Sequence, residues 1–181
     1  MNYRPITDLW ILTRAKLLGG QKYYGAYLGG FPERARVLIG AGNNEPVLHV
    51  CGGMSKFYPY RNGFGPTDKT LDIDPATQPD FLQDARAPLP LNNGQPWRAV
   101  LIDPPYSIED ATRYGCGSEV YPKPYELVTN ALQVVPVGGK VGIIHYTLPT
   151  RPMNAKFVAC VGVVCGFGNR IRVFSVFQRE N

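Results

Sequence analysis

The chain has 181 residues, of which 44% are hydrophobic and 18% charged; that balance excludes a disordered polymer, and the length suits one domain core better than two. Nineteen Lys and Arg against fourteen Asp and Glu give a formal charge of +5 and a pI near 9.1, which favours a polyanionic partner. No apolar run approaches the ~18–20 residues of a membrane span, and residues 1–10 carry Arg4 and Asp8 where a secretory signal has an apolar core, so a cytoplasmic protein with no membrane partner is expected. Cys51, Cys116, Cys160 and Cys165 form no C-x-x-C pair and have only His49 and His145 to join them. Reduced, mostly buried thiols and no metal site are therefore expected.

Residues 8–18 (DLWILTRAKLL) place Leu9, Leu12 and Lys16, and likewise Trp10 and Leu17, at helical spacings, with Thr7 or Asp8 as cap and Gly19-Gly20 as stop. This predicts a short N-terminal helix. Residues 32–39 (PERARVLI) predict a second, with Pro at its first position and Glu33 in its first turn, ended by Gly40-Ala41-Gly42. Residues 1–45 are thus expected to be a helical and loop segment packed on the rest of a single domain. The period then changes. Residues 47–51 (VLHVC), 70–74 (TLDID), 99–102 (AVLI) and 141–145 (VGIIH) are short β-rich runs of the kind found in fully buried parallel strands. Residues 125–135 (YELVTNALQVV) read as an amphipathic crossover helix closed by Gly138-Gly139. Residues 157–165 and 171–178 are two further β-rich runs separated by Gly166-Phe-Gly-Asn169, which signals a hairpin. The expected fold is α/β, a mainly parallel sheet that ends antiparallel. Residues 55–69 and 85–97, rich in Gly, Pro and Asn, read as loops, and there is no internal repeat.

The most informative stretch is residues 99–106, an apolar strand running into Asp103-Pro104-Pro105-Tyr106. Ligands of open parallel sheets bind at the carboxyl ends of the strands, which is where Asp103 is delivered. Each proline fixes its own φ and restricts the residue before it, holding Asp103 and Pro104 extended. A carboxylate and a prolyl carbonyl can then accept both hydrogens of a planar amino group while Tyr106 stacks on the ring that bears it.

These four residues resemble the signature of the amino-methyltransferases that use S-adenosylmethionine, chiefly the DNA adenine and cytosine amino-group enzymes. The resemblance covers roughly residues 20–179 in strand order, and only Asp103 to Tyr106 are specific to it. It implies a Rossmann-like class I methyltransferase sheet, S-adenosylmethionine as cofactor, and Asp103, Pro104, Pro105 and Tyr106 as the catalytic residues. Residues 47–55 (VLHVCGGMS) resemble the family's first strand and glycine loop, which implies that His49, Cys51, Gly52 and Gly53 line the cofactor. The pattern departs from the family at His49, where an acidic residue is usual, and at Ser55, which stands for a final Gly. No clear helix follows.

Asp72 resembles the carboxylate that accepts the ribose hydroxyls, with Asp74 as the alternative register, and Asp84 the one that meets the adenine amino group. The resemblance also implies that Asp103 borders the cofactor. Residues 21–27 (QKYYGAY) resemble the segment that holds the methionine part, which implicates Tyr23 and Tyr24. His145 reads as a satisfied pocket histidine, since amine methylation asks little of a base. Arg151, Lys156, Arg170 and Arg172 are candidate phosphate contacts, with surface charge as the alternative. The expected reaction is methyl transfer to an exocyclic amino group of a nucleic-acid base, DNA adenine favoured over RNA. An RNA base, a protein glutamine amide, or a catalytically silent nucleic-acid-binding subunit are the alternatives. No separate target-recognition domain is expected, which leaves a separate recognition partner, low sequence specificity or a homo-oligomer as the alternatives.

Overall fold

A computed structural model describes residues 4–14, 27–58, 60, 63–114, 121–165 and 171–181. One eight-stranded sheet organises them. The strands are β1 (Ile6–Leu12), β2 (Val47–Val50), β3 (Lys69–Asp72), β4 (Phe81–Leu82), β5 (Ala99–Ile102), β6 (Lys140–His145), β7 (Ala155–Cys165) and β8 (Ile171–Arg179). Their order across the sheet is β1-β7-β8-β6-β5-β2-β3-β4. All neighbours are parallel except β8, which runs antiparallel to both β6 and β7. The expected mainly parallel sheet with an antiparallel C-terminal hairpin is what forms; the turn residues 166–170 lie outside the described residues.

The first helix predicted from the sequence is a strand. Residues 6–12 bury Trp10 and Leu12 and expose Leu9 and Ile11, an alternation of period two, and pair in parallel with residues 159–165 of β7. Asp8 does not cap a helix. Its carboxylate accepts the Leu9 backbone N–H and the Trp10 indole N–H, both at 2.8 Å. Residues 15–18 of that expected helix lie outside the described residues.

Helix α1 (Phe31–Leu38) forms where the second was predicted. Gly30, at φ 81°, turns the chain into it, and Pro32 and Glu33 occupy its first turn. Its buried face packs Phe31 edge-on against Phe174 of β8 at 5.1 Å, with Ala35 and Ile39 in the same core as Trp10, Val161 and Val176. Gly142 of β6 makes that approach possible, because a Cβ there would stand 2.7 Å from the Phe174 ring.

On the opposite face, α3 (Pro124–Gln133) buries Leu127, Val128, Ala131 and Leu132 against Ile102, Val141, Ile143 and Phe177. A short helix that the sequence reading did not foresee, α2 (Ile108–Arg113), follows the Asp-Pro-Pro-Tyr segment. The Ser107 side chain caps it by accepting the Asp110 N–H at 3.1 Å. From β6 the chain crosses β8 to reach β7 through residues 146–154, which contain no helix.

A buried ion network ties α1 to the sheet. Arg36 donates to Asp68 at 2.6 and 3.2 Å and to the carbonyls of Gly42 and Glu45 at 3.0 and 2.6 Å. Asp68 also accepts the backbone N–H groups of Val47 and Gly65 and stands 3.2 Å from His49 Nε2. No helix among the described residues is long and apolar enough to cross a membrane, and no group of His, Cys, Asp or Glu among them is placed to hold a metal.

Candidate active site

The carboxyl ends of β2, β3, β4 and β5 open onto one cleft of about 700 Å³, part of it open to solvent. Cys51, Gly53, Asp72, Asp84, Asp103 and Pro105 line it, together with Gln83, Tyr114 and Pro122. Gly52 and Gly53 sit where the chain leaves β2. A Cβ on Gly52 would meet the His49 carbonyl at 3.0 Å and Thr70 at 3.2 Å, and Gly53 has φ 50°, so the loop stays tight against the sheet. Cys51, at φ 53°, turns the strand into that loop. One 3-10 turn, Ser55–Phe57, follows in place of a longer helix.

Asp72 is the last residue of β3, and its two carboxylate oxygens accept the N–H groups of Gly53 at 2.8 Å and Asp74 at 3.0 Å. Burial pushes its carboxyl up from the ordinary value, against those two bonds. Asp74, the alternative register, instead caps the 3-10 turn Pro75–Thr77 through Ala76 N–H at 2.9 Å. Asp84 reaches the cleft, but Arg86 grips its carboxylate at 2.6 to 3.1 Å and holds it below the usual range.

His49 does not line the cleft. Strand alternation turns its ring to the α1 side, where Nε2 faces Asp68 and Nδ1 stands 3.4 Å from the Tyr27 hydroxyl. Placed there, it belongs to the buried network. Tyr23 and Tyr24 lie outside the described residues, as do Arg170 and Cys116.

Asp103 follows β5 directly, its N–H continuing the ladder to Val50 at 3.1 Å. Tyr106 donates its hydroxyl to Asp103 Oδ1 at 2.6 Å. Burial pushes the Asp103 carboxyl up to about 7, opposed by the Tyr106 hydrogen bond and the Arg172 charge. Pro104 is buried beneath. The Tyr106 ring meets Tyr146 at 4.6 Å and His145 edge-on at 5.5 Å, and Arg172 lies 5.4 Å over it. His145 Nδ1 accepts the Thr147 backbone N–H at 3.1 Å, so its proton resides on Nε2, 3.5 Å from the Tyr121 hydroxyl. Tyr121 in turn donates to the Tyr106 carbonyl at 3.3 Å. Burial holds His145 below its ordinary pKa, as a neutral pocket residue.

The candidate phosphate contacts do not form one patch. Arg172 lies at the carboxyl end of the sheet, next to Val173, which opposes His145. Lys156 opposes Gln178 at the other end, six residues along β8 and so about 20 Å away. Arg151 donates to the Ala155 carbonyl at 2.8 Å.

No family model matches the sequence, and no curated protein matches it. Solved structures do. TrmN from Thermus thermophilus superposes with a TM-score of 0.60 at 18% identity, over 86% of this chain and 50% of that one. This chain therefore spans half the length of that protein. A candidate methylase of Haemophilus influenzae superposes at 0.53 and 13% identity over 94% of this chain and 99% of its own. The N-methyltransferase NodS from Bradyrhizobium japonicum WM9 does so at 0.50 and 12% identity over 82% and 96%. The fold is that of the Rossmann-like methyltransferases.

Proposed function

We propose that the chain transfers a methyl group from S-adenosylmethionine to an exocyclic amino group of a nucleic-acid base, with DNA adenine the favoured acceptor. The observation that carries this reading is the position of Asp103-Pro104-Pro105-Tyr106. It follows β5, and its Asp103 and Pro105 line the same cleft as Gly53 and Asp72. Those residues fit the cofactor: a loop with no side chain at its closest approach, and a carboxylate at a strand end with lone pairs beyond its two backbone bonds. When bound, S-adenosylmethionine supplies an electrophilic methyl group on a sulfonium that departs as a neutral thioether.

The chain's own residues do the rest. An adenine amino nitrogen is a poor nucleophile, because its lone pair is delocalised into the ring. Asp103 and the Pro104 carbonyl hold the amino group with that lone pair toward the methyl, and alignment is the main catalytic contribution. Asp103 accepts the amino hydrogen best in its carboxylate form, which favours pH above about 7. Tyr106 stacks on the base and offsets part of the cost of taking it from a duplex. Polyanion attraction follows from the formal charge of +5.

The experiment is mass spectrometry of nucleosides after incubating the chain with labelled S-adenosylmethionine and DNA or RNA. Label on adenine N6 of DNA is the expected result; label on RNA, or on a glutamine amide alone, would redirect the substrate assignment. A second expectation concerns the cofactor. Asp72→Ala weakens S-adenosylmethionine binding measured by calorimetry by about 1–3 kcal/mol, since it unpairs ligand hydroxyls and releases the Gly53 N–H together. Unchanged affinity would remove Asp72 from the cofactor site.

A further inference from the structure

The carboxylate that the proposed reaction needs is already engaged. Tyr106 Oη stands 2.6 Å from Asp103 Oδ1, the length of a hydroxyl-to-carboxylate hydrogen bond. The pose is built on several sides: Tyr146 and His145 pack on the ring, Arg172 lies over it, and Tyr121 holds the Tyr106 carbonyl. The two roles of the motif conflict in this pose. A base whose amino group rests on Asp103 lies alongside that carboxylate, and a ring stacked on the base presents its face there. In the structure the ring presents its hydroxyl.

We propose that Tyr106 is a placeholder: with no acceptor present its hydroxyl fills the Asp103 hydrogen bond, and the incoming amino group displaces it as the ring turns to stack on the base. This rests on the methyl-transfer reading above. The exchange keeps the carboxylate paired before and after, where an empty acceptor in a buried wall is costly. It also selects the ligand. Only a flat ring that carries an N–H donor replaces both the hydrogen bond that Asp103 loses and the packing that the Tyr106 ring leaves. Arg172 makes no hydrogen bond to any described residue, and its Nε is buried without a partner, so it stays over the ring by stacking and charge alone. That leaves the ring free to turn without breaking a directional bond to it.

The ionisable groups that face Asp103 are Tyr106 from its own loop, Arg172 from β8, Tyr27 from the segment before α1 and Tyr60 from the loop after β2, with Cys51 beside it at the end of β2. Tyr106→Phe keeps the ring and the other groups and removes the hydroxyl. Rate profiles against pH, with S-adenosylmethionine and an adenine-containing oligonucleotide, separate free enzyme from complex, because kcat/KM reports the first and kcat the second. In Tyr106→Phe the acid limb of kcat/KM moves up by about one pH unit, since the carboxylate loses a bond that favours its charged form. The acid limb of kcat stays where the unsubstituted protein has it, because the hydroxyl has left Asp103 in both complexes. Both limbs moving together would mean that the hydroxyl stays through turnover, and would overturn the proposal, as would neither moving. A ¹³C carboxyl titration of the free protein decides the pairing without any substrate. Its Asp103 midpoint rises in Tyr106→Phe, and an unchanged midpoint sinks the proposal. A complete absence of transfer by the unsubstituted protein, beside a raised midpoint, would count against the methyl-transfer reading, and against displacement by a base with it.

Discussion

Asp103→Asn raises the melting temperature at pH 8 while lowering methyl transfer only in part, by about tenfold and mainly in kcat, because Asn keeps an acceptor for the amino group and loses the charge that strengthens that bond. A carboxyl whose folded pKa is raised to about 7 favours the folded state at low pH. That contribution is present below the unfolded value near 4 and is lost as pH rises through about 7. At pH 8 the native protein holds a charge that its site disfavours. Asn keeps the size and a carbonyl for the Tyr106 hydroxyl, and removes the charge. Allowing for the open side of the cleft, the gain is about 2–4 kcal/mol, or about 5–10 °C. At pH 4 the two proteins melt together. Calorimetry at both pH values, beside a labelled-methyl assay, checks this; a variant that melts lower at pH 8, or keeps a demonstrated transfer rate, would make the segment a structural turn. Sites that hold an unfavourable group for chemistry show this trade of stability for function.

Asp68→Ala has the opposite sign. It leaves Arg36, 3% exposed, without its carboxylate, together with the N–H groups of Val47 and Gly65. Removing one partner of a buried pair costs about 3–5 kcal/mol, and denaturant unfolding measures it. Burial pushes the Asp68 carboxyl up, but the hydrogen bonds and charges of His49 and Arg36 outweigh it and bring it below its ordinary value. Its contribution is therefore present above the unfolded value near 4 and is lost as pH falls through the lower folded value. The stability difference between Asp68→Ala and the unsubstituted protein should shrink only in that acid window. A loss under 1 kcal/mol at pH 7 would show that Arg36 finds its partners among the carbonyls alone.

The central strands were legible because each is a short apolar run buried on both faces, and α3 because its apolar positions repeat at helical spacing. The N-terminal strand was not. Leu9, Trp10 and Leu12 satisfy a helical spacing as well as an alternating one, and only pairing with β7 chooses between them. Helix α2 is six residues long, too short for a period to register. At the site, Asp103 to Tyr106 could be read because they are contiguous. The His49 environment could not, since its partners Asp68 and Tyr27 stand 19 and 22 residues away with no spacing rule to join them. The place of Arg172 over Tyr106 depends on β8 entering the sheet beside β6, a matter of topology. The Tyr106 hydroxyl carries no signal in the sequence for a different reason: the stacking role explains the ring and asks nothing of the oxygen.

The pairing of β1 with β7 has a consequence for synthesis. Ile6 opposes Ala159, so β1 waits for about 150 residues of synthesis before β7, the strand it pairs with, exists. At ~5–20 residues per second that is about 8–30 s before Leu9, Trp10, Ile11 and Leu12 can pair with β7. Such long-range closure slows folding and leaves an apolar segment open to self-association. The Asp8 carboxylate bound to the Leu9 N–H is local and needs no partner strand. It can blunt one edge donor from the start, a small chaperoning function performed by the nascent chain on itself.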